Sequence, residues 1–226
     1  MTYVTKATIF RVIWMLVLLM PATAMAEIGA VKVVKNSAWG TPPAQARKSL
    51  FVPDSVVANE RVETATQGAL HLKFLDNTEF RLGSGSSAVL DQFIYNPSSK
   101  TGVFVSSMVK GAFRVITGKM NKNGFRIFTP VAVIGVRGTD FLVTVGLAGV
   151  TVVSVLSGSV TITPLGGAPM SVSAGQAASV GAVASPAQSV APSSAVDPGL
   201  GDTADGEVEG FDNDGGAGGG GGGGSH

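Results

Sequence analysis

Apolar and polar residues alternate along much of this 226-residue chain, and that alternation constrains the fold more than any other sequence feature. Successive side chains of a strand point to opposite faces, so a period of two is typical of half-buried β-strands. No window of helical length carries a sustained 3.6-residue pattern with caps. The sequence therefore predicts an all-β fold. The clearest strands are Leu70 to Leu75, Glu79 to Leu82, Gly102 to Val105, Gly111 to Ile116, Phe125 to Phe128, Phe141 to Val145, Val150 to Leu156 and Val160 to Thr163.

Turn residues and glycines punctuate these strands. Hairpins are predicted at Asp76-Asn77, at Asn96-Pro97, at residues 121–124 and at residues 164–167. A degenerate pattern of a glycine, a small residue and then apolar, polar and apolar residues begins at Gly29, Gly68, Gly111 and Gly158. Glycine suits sharp bends and positive φ, so the pattern predicts a sheet that winds round and reuses one kind of corner. Chance Gly-Ala pairs in a chain rich in both residues are the alternative.

The first 26 residues have the three parts of a secretory signal. Lys6 and Arg11 form a positive start, residues 12–20 are apolar, and the small residues Ala24 and Ala26 mark a cleavage site. A membrane anchor is the alternative, but only residues 12–26 are free of charge, whereas a spanning helix needs about 20 apolar residues. We predict cleavage after Ala26, export of residues 27–226, and no membrane span after cleavage.

Charge is distributed unevenly along the chain. Residues 27–137 hold fourteen Lys and Arg against seven Asp and Glu, whereas residues 138–226 hold none against eight. The basic residues are scattered among apolar ones, which indicates the solvated faces of strands and argues against nucleic acid as a partner. The chain has no cysteine, so disulfides and thiolate chemistry are excluded.

From about Ser179 the composition changes to Ala, Ser, Pro, Val and Gly, and then to an acidic glycine-rich run. Such a segment buries too little apolar surface to fold alone. Residues 181–226 are therefore predicted to be a disordered, solvated tether, which could fold back on the basic body. Calcium binding is the alternative, because Asp212-Asn213-Asp214-Gly215 resembles the start of a calcium loop, although the later acidic ligands are missing. No cofactor or metal is expected.

Residues suited to catalysis are sparse. His71 lies on a predicted strand, where we expect it to point to solvent without a second histidine nearby. Glu60 with Glu63, or Asp76 with Glu79, could form a glycosidase pair, but such spacings are commonplace in strands and turns. We therefore expect no enzyme.

Aromatic residues next to prolines offer candidate contacts with a partner. Trp39 precedes Pro42-Pro43, and Phe93 and Tyr95 precede Pro97. Exposed aromatics often anchor interfaces, but they cover the end of a β core equally often, so both interpretations of Trp39, Phe93 and Tyr95 stay open.

Three stretches carry a likeness to a known family: residues 62–78, beginning Val62-Glu63-Thr64-Ala65-Thr66-Gln67-Gly68-Ala69; Gly111-Ala112-Phe113-Arg114; and the most specific, Thr129-Pro130-Val131-Ala132-Val133-Ile134-Gly135-Val136-Arg137-Gly138-Thr139-Asp140-Phe141. They resemble the FecR-type domain, the periplasmic module of ferric-citrate-type transmembrane regulators that also occurs in stand-alone exported proteins. The likeness spans about residues 29–180. It implies a rolled or solenoid-like antiparallel β domain over residues 27–180, a protein-interaction role and no known chemistry.

The stretch from Thr129 to Phe141 is interpreted first as a structural element of the fold. Its residues Thr129, Pro130, Gly135, Arg137, Gly138, Thr139, Asp140 and Phe141 are interpreted as architectural. Gly135 and Gly138 permit close backbone approach, and Thr139 suits a bend. Arg137 and Asp140 are three apart and are predicted to form an ion pair with each other, with a binding site as the alternative.

The chain also departs from the regulators of this family. Only about ten residues precede the apolar run, too few for their cytoplasmic sigma-binding region, so direct iron-transport signalling is not expected. We expect a non-enzymatic β domain in the periplasm or on the surface of a Gram-negative bacterium. It would bind an unknown protein or envelope polymer, in envelope sensing or signalling. A structural or scaffolding surface protein is the second hypothesis, and a carbohydrate-active enzyme the third.

Overall fold

A computed structural model describes residues 25–181, 183, 185–192 and 198 of the chain. These residues form seventeen strands and two 3-10 turns, Lys122–Gly124 and Leu147–Gly149, which confirms the all-β class. The strands are β1 (Glu27–Lys35), β2 (Ala38–Thr41), β3 (Lys48–Ser49), β4 (Ser55–Val57), β5 (Glu60–Thr64), β6 (Ala69–Phe74), β7 (Glu79–Leu82), β8 (Ser87–Asn96), β9 (Thr101–Ile116), β10 (Phe125–Phe128), β11 (Ala132–Val136), β12 (Asp140–Val145), β13 (Thr151–Ser157), β14 (Ser159–Pro164), β15 (Met170–Ser173), β16 (Ala177–Val180) and β17 (Gln188–Val190).

The strands form two sheets that share β9. In sheet A the spatial order is β4-β1-β6-β7-β9-β12-β13-β16-β17. In sheet B it is β3-β2-β5-β8-β9-β10-β11-β14-β15. Among the described strands every pairing is antiparallel except that of β9 with β10. The antiparallel arrangement is thus confirmed, whereas a solenoid-like one is not, because the chain alternates between two sheets and does not stack parallel coils.

The inner faces of the two sheets pack around a group of phenylalanine rings. The ring of Phe104, in sheet B, lies 4.9 Å from Phe74 and 6.4 Å from Phe80, both in sheet A. Phe93 of sheet B stacks on Phe74 at 5.3 Å between ring centroids. Large rings bury much apolar surface and prefer stacked or edge-to-face contacts, so these rings hold the two layers together. Apolar residues at alternate positions of the other strands extend the same core.

Strand β9 passes from one sheet to the other. Its residues 101–110 pair with β8 in sheet B, and its residues 111–116 pair with β7 and β12 in sheet A. The crossing falls at Gly111, whose φ is +109°, a conformation that L side chains rarely adopt. A Cβ at this position would lie 2.6 Å from the Cα of Ser86, closer than real Cβ contacts come. The hydroxyl of Ser86 accepts the Ala112 N–H at 3.1 Å and fixes the bend.

The glycine pattern marks corners at two of its four positions. Gly111 and Gly158 both have positive φ where the chain changes sheets, and the φ of Gly158 is +79°. Gly29 and Gly68 have ordinary φ and serve close approach instead, since an added Cβ would lie 2.8 Å from the Lys73 oxygen and 2.7 Å from the Ser37 oxygen respectively. Glycine is therefore required at all four positions, but for two different reasons.

Three of the four predicted hairpins are confirmed, namely β6–β7, β8–β9 and β14–β15. The prediction for residues 121–124 is wrong, because β9 and β10 run parallel. By the time the chain leaves β9 it is already in sheet A. The loop after Ile116 therefore carries it back to sheet B beside the first half of β9, which gives the parallel pairing.

The ends of the chain lie mostly outside the described residues. Residues 1–24, including Ala24, and the Asp212-Gly215 segment lie outside the described residues. The secretory signal, its cleavage and calcium binding by the tail therefore stay predictions. In the segment assigned to the tail, β17 pairs with β16, and Pro198 is buried. Across the described part of the chain, none of the helical segments has the length and apolar character needed to cross a membrane.

Substitution of Gly111 by alanine tests the crossing. We expect Gly111→Ala to lower the free energy of unfolding by about 2 kcal/mol or more, since strained backbone and overpacking each cost of this order. Gly135→Ala is the matched control, because its φ is ordinary and an added Cβ would meet nothing closer than the Thr161 oxygen at 3.8 Å. Urea unfolding of both variants measures the difference; equal stabilities would contradict the assigned role of Gly111.

Candidate functional site

The stretch from Thr129 to Phe141 forms the turn between β10 and β11, strand β11, and the turn into β12. Thr129 is buried, and its hydroxyl oxygen accepts the Ala132 N–H at 3.1 Å and the Thr151 hydroxyl at 3.0 Å. Phe141 is fully buried in the core. Pro130 is exposed at the turn but lies against Gly149, where a Cβ would be only 2.7 Å from the Pro130 Cβ. These contacts are architectural.

Thr139 takes part in a reciprocal clamp between two bends. Its N–H donates to the Thr117 hydroxyl oxygen at 2.9 Å, and the Thr117 N–H donates to the Thr139 carbonyl at 3.0 Å. The same arrangement recurs where the Ser86 N–H donates to the Thr64 hydroxyl at 2.9 Å and the Thr64 N–H donates to the Ser86 carbonyl at 3.0 Å. Buried backbone groups need partners, and these hydroxyls supply them where the sheet ladder is interrupted.

The predicted ion pair between Arg137 and Asp140 is not formed. Asp140 instead accepts two hydrogen bonds from Arg114 on the neighbouring strand β9, at 3.0 Å from Nε and 2.8 Å from Nη2. Arg137 lies exposed at the end of β11. The prediction failed because strand pairing brings Arg114, 26 positions earlier in the chain, closer to the carboxylate than the turn brings Arg137.

The two glycines of this stretch differ. Gly138 has a φ of +63°, so the turn between β11 and β12 needs a residue that tolerates the left-handed region. Gly135 was expected to permit close backbone approach, and that expectation is wrong, because a Cβ there would have ordinary space.

The three candidate aromatic contacts occupy different environments. Phe93 is 8% exposed and belongs to the core, so it offers no surface to a partner. Tyr95 is half-buried and packs against that core. Trp39 is half-buried on β2, with the Arg47 guanidinium 4.0 Å from its ring centroid. Arg47 also pairs with Glu63 at 3.1 Å, so the Trp39 face is already occupied by this chain's own cation.

Neither carboxylate pair converges on a common space. Glu60 points into the core and is 1% exposed, whereas Glu63, three residues on, points outward to Arg47. Asp76 is fully buried in the β6–β7 turn, where its carboxylate accepts the N–H and hydroxyl of Thr78 at 2.9 and 2.7 Å. Glu79 points away from it, toward Arg81. Glu60 and Glu63 make separate contacts on opposite faces of β5, and Asp76 stabilises the β6–β7 turn.

Glu60 is a buried acid, and only one of its two carboxylate oxygens has a hydrogen-bond partner. The Val57 N–H donates to its Oε2 at 2.9 Å, while its Oε1 has no hydrogen-bond partner. Gly40 on the neighbouring strand leaves the room for it, since a Cβ at Gly40 would overlap Oε1. Burial raises the pKa of the Glu60 carboxyl above its usual value of about 4.5, and the Val57 hydrogen bond only partly opposes that shift.

His71 lies on the outer, polar face of its strand as predicted, but neighbouring side chains leave it only 14% exposed. Its imidazole lies 3.3 Å from the Glu79 carboxylate, across the β6–β7 pair. Burial lowers the pKa of the imidazole, although Glu79 favours the charged form. Among the described residues, no group of three histidine or acidic side chains is arranged to hold a metal ion.

Sequence reasoning missed an apolar surface on the outer face of sheet B, here named the apolar strip. Its members lie on four neighbouring strands and share that face by register: Ile94 on β8, Val103 and Val105 on β9, Phe128 on β10 and Val133 on β11. Ile94 is 56% exposed and Phe128 38% exposed, and the three valines are partly exposed. Arg126 lies in its middle, opposite Val105. The sequence does contain a signal for this surface. Val103, Phe104 and Val105 are consecutive apolar residues, so this strand is apolar on its outer face as well as on its inner one.

Comparison with known proteins identifies a family that this double-sheet β domain resembles. The family described as FecR protein matches residues 60–161, a range that includes both Thr117 and the whole Thr129 to Phe141 stretch. The resemblance to the FecR-type domain seen in the sequence is therefore confirmed over residues 60–161. FecR domains occur in regulatory proteins of envelope signalling, where they are periplasmic.

Two solved structures from Parabacteroides distasonis, both described as a "putative anti-sigma factor", are similar to this chain. Each is 17% identical and is matched over 58% of this chain, with TM-scores of 0.46 and 0.47. The match spans 59% of the length of each solved chain. No curated protein matches the sequence.

The pH dependence of stability tests the environment of Glu60. A carboxyl whose pKa is raised by folding contributes stability below its ordinary pKa, and that contribution is lost as pH rises through the folded-state pKa. We therefore expect wild type to lose stability relative to Glu60→Gln between about pH 4.5 and neutrality. Urea unfolding across that range measures the difference, with Glu63→Gln as the control on the solvent side of the same strand. A difference independent of pH would refute the assignment.

Proposed function

We propose that this chain is an exported, non-enzymatic FecR-type protein that binds a protein partner through the apolar strip, in envelope sensing or signalling. The observation that carries the proposal is the exposure of Ile94 and Phe128 on a sheet face that no other described strand covers. Clustered exposed apolar side chains on a protein surface mark an interaction site. The regulatory character of FecR domain proteins supports a role in signalling.

The composition of the strip suits a protein partner. An aromatic ring and an arginine are among the residue types enriched at protein interfaces, and the valines around them supply apolar surface that excludes water. Phe128 is the side chain expected to enter a pocket, and Arg126 beside it can pair with a partner carboxylate. The strip is built on paired strands and is therefore rigid, so little ordering entropy opposes binding.

Export follows from the proposed organisation, in which residues 1–26 are a cleaved leader, residues 27–180 form the β body and residues 181–226 the tail. The small residues Ala24 and Ala26 and the short apolar run before them support this division. Expression of the full chain in a Gram-negative host, followed by N-terminal sequencing of the periplasmic product, tests it. We expect Glu27 as the first residue; a retained leader in the inner membrane would reopen anchoring.

Partner capture tests the strip. The chain from Glu27 to His226, immobilised in envelope extract, should retain a single protein in stoichiometric amount. Ile94→Asp with Phe128→Asp should abolish retention, because charged groups cannot be buried in an apolar contact without a large desolvation cost. Both side chains point away from the core, so the double variant should still fold, with a loss of about 1 kcal/mol at each position because aspartate is disfavoured in strands.

Ser171→Asp with Ser173→Asp is the matched control. Both serines are exposed on β15 of the same sheet, two strands away from Val133, and should leave retention unchanged. Equal loss in both double variants would show a general charge effect and contradict the proposal. Sedimentation with insoluble wall or outer-membrane material would favour the scaffolding hypothesis instead. Glycan hydrolysis by the purified protein that is lost in Glu60→Gln would contradict both the protein-binding and the scaffolding hypotheses.

A further inference from the structure

One end of the double sheet, here named the tip, brings together turns from both sheets. The bend of β9 at Gly111 lies at this end, because Gly111 pairs with Val145, the last residue of β12. Strand register then places the following segments beside it: residues 35–37, 65–68, 83–86, 109–111, 129–131, 146–150, 164–169, and 181, 183 and 185–187.

Several apolar side chains of the tip project into solvent. Leu147, in the turn between β12 and β13, is 94% exposed, so it gains almost nothing from contact with its own domain. The other exposed apolar residues of the tip come from separate turns and bends: Val109, Pro130, Val150, Leu165 and Val183. Clustered exposed apolar side chains mark a contact with a protein or with a membrane.

The charges of the tip have one sign. The sequence of its segments contains no Asp or Glu, and its charged side chains are Lys35 and Lys110, both exposed. Neither lysine belongs to an ion pair among the described residues. Glu63 lies two strands from Lys110 by register and is paired with Arg47 at 3.1 Å. The tip therefore combines exposed apolar side chains with positive charge.

The backbone of the tip is suited to an environment that is poor in water. The N–H groups of Gly146, Gly149 and Val150 donate to carbonyls of their own turn at 2.8, 3.3 and 3.3 Å. The N–H of Leu165 donates to the Val131 carbonyl at 2.9 Å. Backbone groups that lack a partner are costly to remove from water. Because these four N–H groups already have protein partners, their desolvation opposes insertion only weakly.

We propose that the tip docks on the surface of a bilayer that contains anionic lipid. Leu147 and its apolar neighbours enter the boundary between headgroups and acyl chains, about 5–10 Å deep, and Lys35 and Lys110 contact lipid phosphates. A lipid surface fits better than a protein, because the exposed side chains are mainly Leu and Val, which are under-represented among the residues that dominate protein interfaces.

Docking in this orientation leaves the outer faces of both sheets upright on the membrane. The apolar strip therefore stays accessible to a protein partner, and the inference goes beyond the proposed function without depending on it.

Flotation with lipid vesicles tests docking in the chain from Glu27 to His226. We expect the protein to float with vesicles of phosphatidylethanolamine and phosphatidylglycerol in equal parts, and to bind phosphatidylcholine vesicles about tenfold more weakly. Leu147→Asp should lower the affinity for the anionic vesicles about tenfold or more, because a charged group is then placed in the apolar boundary.

Leu75→Asp is the matched control for Leu147→Asp. Leu75 follows β6 in the turn at the opposite end of the domain and is 60% exposed, so the charge change and the type of position are the same. It should leave flotation unchanged. Lys35→Ala with Lys110→Ala should weaken binding to the anionic vesicles by about fivefold for each lysine and leave binding to phosphatidylcholine unchanged.

A fluorescent label provides a second readout. The chain has no cysteine, so Leu165→Cys and Leu75→Cys each provide a unique position for a polarity-sensitive fluorophore. Addition of the anionic vesicles should shift the emission of the label at position 165 to the blue and leave that at position 75 unchanged.

Four results would each overturn the proposal. The first two are no flotation with the anionic vesicles and equal loss of flotation in Leu147→Asp and Leu75→Asp. The third is flotation that Leu147→Asp retains and Ile94→Asp with Phe128→Asp abolishes, which would place the lipid on the apolar strip. The fourth is loss of a captured protein partner in Leu147→Asp, which would identify the tip as a protein interface.

Discussion

The crossing of β9 from sheet B to sheet A is the constraint on which the rest of the structure depends. A single strand supplies a central member to both layers, so the position of each sheet relative to the other is fixed by one covalent segment and its bend at Gly111. The same strand carries Phe104 and Phe113 into the core on either side of the bend. The aromatic packing between layers and the parallel addition of β10 both follow from where this crossing lies.

Much of the fold could be predicted from local pattern, and the errors have identifiable physical causes. The bounds of β7 and β10 match the predicted strands, because alternation and turn residues define them locally. The two predicted strands around Gly111 are one, since a glycine that normally ends a strand here lets it bend. The Arg114 partner of Asp140, the contact of His71 with Glu79 and the core position of Phe93 depend on pairing between distant segments, which a single sequence does not specify.

The two outer faces of the domain follow opposite chemistry. Sheet B presents branched aliphatic side chains and one phenylalanine around Arg126, while sheet A presents cations that are partly paired and partly shielded. Thr129, Thr139 and Phe141 of the FecR motif are buried in turns and core, whereas Val133 of the same stretch lies in the apolar strip and Asp140 pairs with Arg114 on sheet A. The motif therefore combines the turns between the sheets with one contribution to each outer face.

The spatial order of the strands has a consequence for how such a chain acquires its structure. Across both sheets the strand numbers rise almost monotonically from one end to the other, with β9 in the middle. A chain that emerges amino terminus first, from a ribosome or a membrane pore, can thus assemble the two-layered half containing β1–β8 before β12–β17 have appeared. Each later hairpin then adds to an existing edge of one sheet or the other. Among the described strands, no pairing joins residues more than 45 positions apart, so growth of this kind would not require contact between the two ends of the chain.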